Sequence, residues 1–457
     1  MNLFTLIIIG MFLFALLETP LFTVIAGLSI ACFFFIDNEW ASIQTIVIEM
    51  NRLASMPVLV ALPLFTFSGC LLAETGAPMR IMNLMSALTG RIPGGIAVAA
   101  ICSCAFFTAL TGASGVTIVA IGSLLYPVLL RQEYDENFSL GLLTTSGSLG
   151  LLFAPSLPII LYGVVAQVDA AVIFRAAFVP GILLVLLLST YAFFHAPKHL
   201  AAHSPLISAL SIDSPEPCDG ELQYNIQDGK KDAYKKRTGW KDVWNALKEG
   251  IWEWPIPLVI IAGIYGGFTT IAEVSALVLV YVVAVECFVL KEVDFSRRLP
   301  GIIIESVIVS GAIIIILGFA LGFTGYLVDE EIPGRLLGYL VNLTENKYYF
   351  LAGLNLFLLA VGCVMDIFSA IVIIVPIIVP VAIKYGIDPV HLCIIFLLNL
   401  EIGYSTPPVG INLFIAGLKF GKPVTQLYRA SVPYLLIMLF LLAAITYIPS
   451  LSLFLVR

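Results

Sequence analysis

Four polar groups stand inside stretches that are otherwise apolar, and their types suit ion and anion binding. Asp366 lies in the run Tyr349–Ile383. An ionised carboxylate at membrane depth is expensive, so Asp366 serves a cation or a proton, or caps the helical half Ile367–Ile374; the two roles are compatible. Thr111-Gly112-Ala113-Ser114-Gly115, with Thr117, interrupts the run Gly94–Leu130. Glycine there lets backbone approach a ligand, and the N-terminus of the following helix turns a positive dipole end toward an anion; small residues also serve close helix packing. The third group is Glu401-Ile402-Gly403-Tyr404-Ser405-Thr406-Pro407-Pro408-Val409-Gly410-Ile411-Asn412-Leu413-Phe414. Pro407 and Pro408 supply no N–H and clash with the preceding turn, so the helix unwinds and frees carbonyls beside Ser405, Thr406 and Asn412. Asn412 then offers an amide to a substrate or caps the second half-helix. The fourth group, Ala154-Pro155-Ser156, breaks the run Leu140–Val168. Irregular backbone at membrane depth survives only where protein buries it or it lines a watery cavity, so each break is either a plain loop or a site.

Other polar residues point less sharply. Thr269, Thr270 and Glu273, after Gly266-Gly267, form an external turn or an ion-ligand set. Glu401 and Asn399 precede the third break on a helix whose face the sequence does not fix. The four histidines lack metal-ligand spacing, and the eight cysteines fit neither a zinc site nor a disulfide framework.

The chain that must position these groups has 457 residues, 60% of them hydrophobic and 12% charged, with mean hydropathy +1.04. That composition is an all-α polytopic membrane protein. The net charge of -7 decides little, since charges sit in loops. No basic face with interleaved aromatics is present, so no nucleic-acid partner is expected. Met1–Leu17 lacks a basic n-region and a cleavage site and reads as a retained span. Further apolar segments lie at Leu3–Phe35, Met56–Leu72, Phe178–Phe194, Ile251–Phe268, Val274–Leu290, Gly301–Val328, Leu392–Phe420 and Val432–Tyr447. Gly94–Leu130 and Tyr349–Ile383 are too long for one span and carry a polar break midway, which predicts two re-entrant hairpins. The lysine-bearing polar segment Pro197–Gly250 is placed in the cytoplasm by the positive-inside rule, and Trp240–Trp254 within it forms an interfacial amphipathic helix with Trp240, Val243, Trp244, Leu247, Ile251 and Trp254 on one stripe.

An internal repeat organises the segments. Pro380 follows Pro127, Lys384 follows Arg131, Gly403 follows Gly150 and Pro408 follows Pro155 at one offset (380 − 127 = 253 for the first). Each copy runs hairpin, proline, basic residue, then a helix broken at Gly-x4-Pro. Five crossings between the hairpins, an odd number, make the copies inverted, and inverted repeats with broken helices are the sequence pointer to a secondary transporter's site. Phosphate loops, His-Glu-x-x-His, Gly-x-Ser-x-Gly and paired aspartates for group transfer are missing, which excludes the usual enzyme classes and leaves an ion gradient as the energy source.

Taken in order, Thr111-Gly112-Ala113-Ser114-Gly115, Gly147-Ser148-Leu149-Gly150 followed by Ala154-Pro155-Ser156-Leu157-Pro158 and Tyr162-Gly163, Gly263-Ile264-Tyr265-Gly266-Gly267, Met365-Asp366, and Thr406-Pro407-Pro408-Val409-Gly410-Ile411-Asn412-Leu413-Phe414 resemble the large membrane subunit of tripartite ATP-independent periplasmic (TRAP) transporters. Thr270-Ile271-Ala272-Glu273 departs from the family's Thr-Pro-Thr-Glu run. The resemblance implies an elevator-type carrier in the bacterial inner membrane that moves a small organic acid inward with sodium. Its partners would be a separate four-helix membrane subunit, a periplasmic substrate-binding protein and membrane lipid; no cofactor is implied. Sodium would be held by Gly112, Ser114, Thr270, Asp366, Ser369, Thr406 and Pro407, and substrate by Ser114, Gly115, Pro155, Ser156 and Asn412. On this basis residues 94–168 and 348–420 form the transport domain. Scaffold spans occupy 1–93 and 169–196, the polar loop 197–250, connecting spans 251–347 and a C-terminal span 421–457. A stand-alone sodium-coupled dicarboxylate or anion carrier is the alternative, distinguished by transport without a binding protein.

Overall fold

The structure, a computed structural model, describes residues 44–89, 94–197, 250–329, 346–407 and 410–456, with isolated positions among 26–31 and 244–248. The expectations for the first span, for most of the polar loop and for Pro408 lie outside these residues. Among the described residues there is helix and no strand.

Both predicted hairpins are present. The first joins α4 (Gly95–Thr111) to α5 (Ser114–Arg131) through Gly112 and Ala113, after α1 (Gln44–Ala54), α2 (Ala61–Ala73) and α3 (Ala77–Thr89). The first broken helix follows as α6 (Glu136–Ser146), a tight turn at Leu149–Leu152 and α7 (Leu157–Ala166), the two parts meeting at 45°. The break is wider than its proline predicts, because Gly147 and Gly150 already end the regular helix ahead of Pro155. Then come α8 (Ala170–Phe194), α9 (Pro255–Ile260, running on to Tyr265), α10 (Ile271–Val283, running on to Val289) and α11 (Leu299–Asp329). The second copy is α12 (Lys347–Val364), a turn at Met365 and Asp366, α13 (Ile367–Lys384), α14 (Pro389–Gly403), α15 (Ile411–Phe420), α16 (Val424–Tyr447) and the short α17 (Ser450–Leu453).

The offset of 253 holds in the structure as well as in the sequence (367 − 114, 384 − 131 and 447 − 194 for helix ends). Asp135 accepts the Phe138 N–H and starts α6; Asp388 accepts the Val390 N–H and starts α14. Pro127 and Pro180, inside α5 and α8, recur as Pro380 and Pro433 inside α13 and α16. Packing is reciprocal, as a twofold relation requires. The second helix of each hairpin lies on the second half-helix of the other copy, α5 on α15 and α13 on α7. Likewise α6 packs on α16 and α14 on α8. Each break also leans on its own hairpin through glycine. A Cβ on Gly150 would stand 2.3 Å from the Ala109 nitrogen, and one on Gly403 2.4 Å from the Gly362 carbonyl carbon, so only glycine permits either approach. From Val390 to Gly403 every residue of α14 is buried; a helix apolar all round belongs at the centre of the molecule.

Outside this pair of copies, α2 packs on α10 and α11, and α11 on α1. Along α11, Ile304, Val307 and Ile308 are exposed, a face suited to lipid. The sequence reading missed α3, which Arg80, Asn83 and Ser86 disqualify as an apolar run. Arg80 fastens this helix to distant segments: its guanidinium donates to Glu253, to Glu292 and to Glu286 (3.2 Å), and Glu292 also accepts the Gly76 N–H at 2.5 Å. Of the predicted amphipathic stripe, Leu247 and Trp254 pack against Leu84 and Ala87, while Trp244 and Ile251 are exposed.

Candidate site at the hairpin turns

The first turn is seated on both broken helices. Gly112 has a φ of +68°, and a Cβ there would meet Leu157, the first residue of α7, at 2.7 Å, so backbone shape and packing both demand glycine. Two residues on, the Ser114 hydroxyl donates to the Asn412 side-chain oxygen at 2.8 Å, 298 residues away in the other copy. Gly115 lies under Ile415 of the same half-helix. Behind the turn, the Thr108 hydroxyl donates to the Gly147 carbonyl (2.8 Å) and stands 2.7 Å from the Thr117 hydroxyl. Thr108 was not singled out from sequence, since its partners become neighbours only on folding.

The second turn is built around Asp366. Its carboxylate accepts the N–H groups of Phe368 and Ser369, both at 3.0 Å, and the Ser369 hydroxyl. This is the capping role, and it leaves a cation role open, because an ionised carboxylate has about four lone-pair sites. The Ile367 N–H donates to the Tyr404 hydroxyl, and the Gly410 N–H to the Cys363 carbonyl at 3.3 Å, tying the turn to the second break. Thr406 returns its hydroxyl to the Ile402 carbonyl (2.7 Å), and Pro407 is exposed.

Around these turns several buried polar atoms have no partner among the described residues: the Asn412 amide nitrogen and the hydroxyls of Thr111, Ser156 and Ser405. Each such group costs about 1–3 kcal/mol when left unpaired, so a polar ligand or water that satisfied them would recover that cost. Ser156 heads α7 without capping it, next to Pro155. The structure thus brings Ser114, Gly115 and Asn412 together, sets Gly112 against α7, and groups Asp366, Ser369 and Tyr404. Thr270 stands apart from these: its hydroxyl and N–H share a capping box with Glu273 at the start of α10. Among the described residues no three His, Cys, Asp or Glu side chains gather as a metal centre. A cavity of about 330 Å³ between α4, α8 and α9 is walled by Phe106, Phe153, Phe178 and Tyr265 and is almost wholly apolar, so the chemistry belongs to the turns rather than to it.

Two inverted helical copies, each a hairpin followed by a broken helix, with unpaired polar groups where the turns meet the breaks, define a membrane transporter rather than an enzyme. The fold agrees with that of a solved structure, the YdaH transporter of Alcanivorax borkumensis, with a TM-score of 0.58 at 14% identity over 88% of this chain and 86% of that one. Residues 8–451 match the family model described as the DctM component of the tripartite ATP-independent periplasmic transporter, and the chain belongs to that family, the large permease subunits of TRAP transporters. It is similar to the isethionate TRAP transporter permease protein DctMQ of Oleidesulfovibrio alaskensis, at 32% identity over 89% of this chain, of which it spans 59% of the length. It is also similar to the large permease protein of the C4-dicarboxylate TRAP transporter of Pseudomonas aeruginosa, at 31% identity over 90% of this chain and 89% of that protein.

Proposed function

We propose that this subunit carries an organic acid across the bacterial inner membrane together with sodium, receiving it from a periplasmic binding protein and working beside a small membrane subunit. The observation that carries the reading is the Ser114–Asn412 contact. It places an unpaired, buried amide N–H2 where the first hairpin turn meets the second broken helix. An amide donor and the N-terminus of α5 both favour a carboxylate or sulfonate oxygen. The names of the two relatives, for isethionate and for C4-dicarboxylates, point to acids of that kind. Sodium takes oxygen ligands, and the turns offer hydroxyls, carbonyls and one carboxylate at Gly112, Ser114, Asp366, Ser369 and Thr406.

In this reading the hairpins and broken helices form the moving part, and α1, α2, α8 to α11 and the polar loop the frame, which is an elevator mechanism. The test is uptake of an isethionate- or dicarboxylate-like acid into proteoliposomes holding this chain, its small partner and its binding protein. Uptake is expected only with an inward sodium gradient, and Asp366→Asn is expected to weaken the sodium dependence. Uptake that ignores sodium overturns the coupling, and an Asp366→Asn variant with unchanged sodium activation removes that residue from the site.

A further inference from the structure

Glu401 has no role in the reading above, and its surroundings are unusual. It sits on the last turn of α14 before the second break and is 1% exposed, and neither carboxylate oxygen has a hydrogen-bond partner among the described residues. The nearest polar side chain across the breaks is Ser148. Ser148 stands 253 residues earlier, at the matching place in the first break, and its hydroxyl donates to the Thr145 carbonyl at 3.2 Å. Among the described residues, no ion pair or hydrogen bond reaches its carboxylate from the elements packed on α14, namely α7, α8, α12, α13, α16, α17 and the turn Leu149–Leu152, although Tyr162, Arg175, Cys363 and Tyr434 lie on them. The two copies therefore meet at a serine on one side and a solitary acid on the other.

An ionised carboxylate without donor or counter-ion is not sustained in such an interior; the group neutralises instead. We propose that Glu401 is a proton-binding site between the two broken helices. The carboxylate takes up one proton on an oxygen to become the neutral acid in this conformation, and its occupancy is linked to ion binding at the second break. The link is short. Ile402, the next residue, accepts the Thr406 hydroxyl, and Tyr404 accepts the Asn412 N–H at 3.1 Å, so a charge appearing at Glu401 acts on both sides of the unwound segment. By reciprocity, a proton that changes sodium affinity has its own affinity changed by sodium to the same extent. The linkage, though not the proton site itself, rests on the sodium reading of the preceding section.

The test uses the purified complex of this chain with its small partner. Infrared spectra between about pH 5 and 9, the range in which buried carboxyls titrate, should show a carboxylic-acid C=O band at neutral pH that Glu401→Gln removes. In proteoliposomes, the sodium concentration for half-maximal uptake should move about fivefold or more across that range in the native protein, and less than about twofold in Glu401→Gln. Identical spectra for the two proteins overturn the proton site; equal pH dependence overturns the linkage. A Glu401→Gln variant that has lost sodium stimulation at every pH also overturns it, since the carboxylate would then be a cation ligand. Should Glu401→Gln fail to assemble, Glu401→Asp keeps the acid and must shift the band without abolishing it; an unmoved band counts against the site. If the native protein shows no sodium stimulation, the sodium reading fails while the infrared band still decides the proton site.

Discussion

The two halves of the molecule share a backbone and divide the chemistry. Where the first copy has Ala113, Val116, Ser148 and Ile159, the second has Asp366, Ser369, Glu401 and Asn412. In the other direction, Thr108, Ser114, Thr117 and Gly147 answer to Val361, Ile367, Ala370 and Leu400. At these positions the first copy offers only neutral hydroxyls, whereas the second adds two acids and an amide. Helix ends, capping aspartates and internal prolines are kept at the same offset, because they determine how the copies fit, whereas polar side chains have diverged. A twofold frame therefore carries two unlike sets of polar side chains.

The largest effects should come from attacking what the copies have in common. Gly150→Ala and Gly403→Ala each drive a methyl group into backbone less than 3 Å away, and each should cost about 3 kcal/mol or more, seen as lost monodisperse protein or a lowered Tm. If one is tolerated and the other is not, the equivalence of the breaks fails. Arg80→Gln, outside the repeat, leaves three partly buried carboxylates facing one another and should cost on the order of 3 kcal/mol; a denaturation midpoint close to native would show that the cluster is screened by solvent.

Replacing second-copy residues by their first-copy counterparts sharpens the contrast. Asn412→Ile removes the unpaired amide and should reduce substrate affinity about 10-fold or more, at the 1–3 kcal/mol of a lost buried polar contact; unaltered affinity in a binding assay would move the substrate elsewhere. Ser114→Ala, which keeps Asn412 and loses only its partner, should cost about 1 kcal/mol, a several-fold rise in KM. Smallest is Thr270→Ala, which loses an N-cap worth about 1 kcal/mol of stability. A change in sodium stimulation beyond that would mark Thr270 as an ion ligand.

Much of this frame was legible in the sequence, and the reasons are local. Gly112 and Asp366 stand out because a glycine or a charged residue in a long apolar run marks a turn or a cap, and Pro127 and Pro380 betray the repeat because proline marks a fixed place in a helix. Ser114 and Asn412 are each legible as polar groups at a break in an apolar run, and the fold brings the two into hydrogen-bond contact. What stayed hidden depends on distance or on symmetry of environment. Thr108 gains meaning only from Gly147, Arg80 only from acids more than 170 residues away. Glu401 was hidden because α14 is buried on all sides and carries no amphipathic period to show which way a side chain points.

The glycine contacts have a mechanical consequence. With backbone pressed on backbone at Gly150 and Ala109, and again at Gly403 and Gly362, there is no side-chain layer to shear, and a hairpin cannot slide along its own broken helix. In the elevator motion proposed above, each hairpin and its break would therefore travel together, with the clearance for motion at their outer faces.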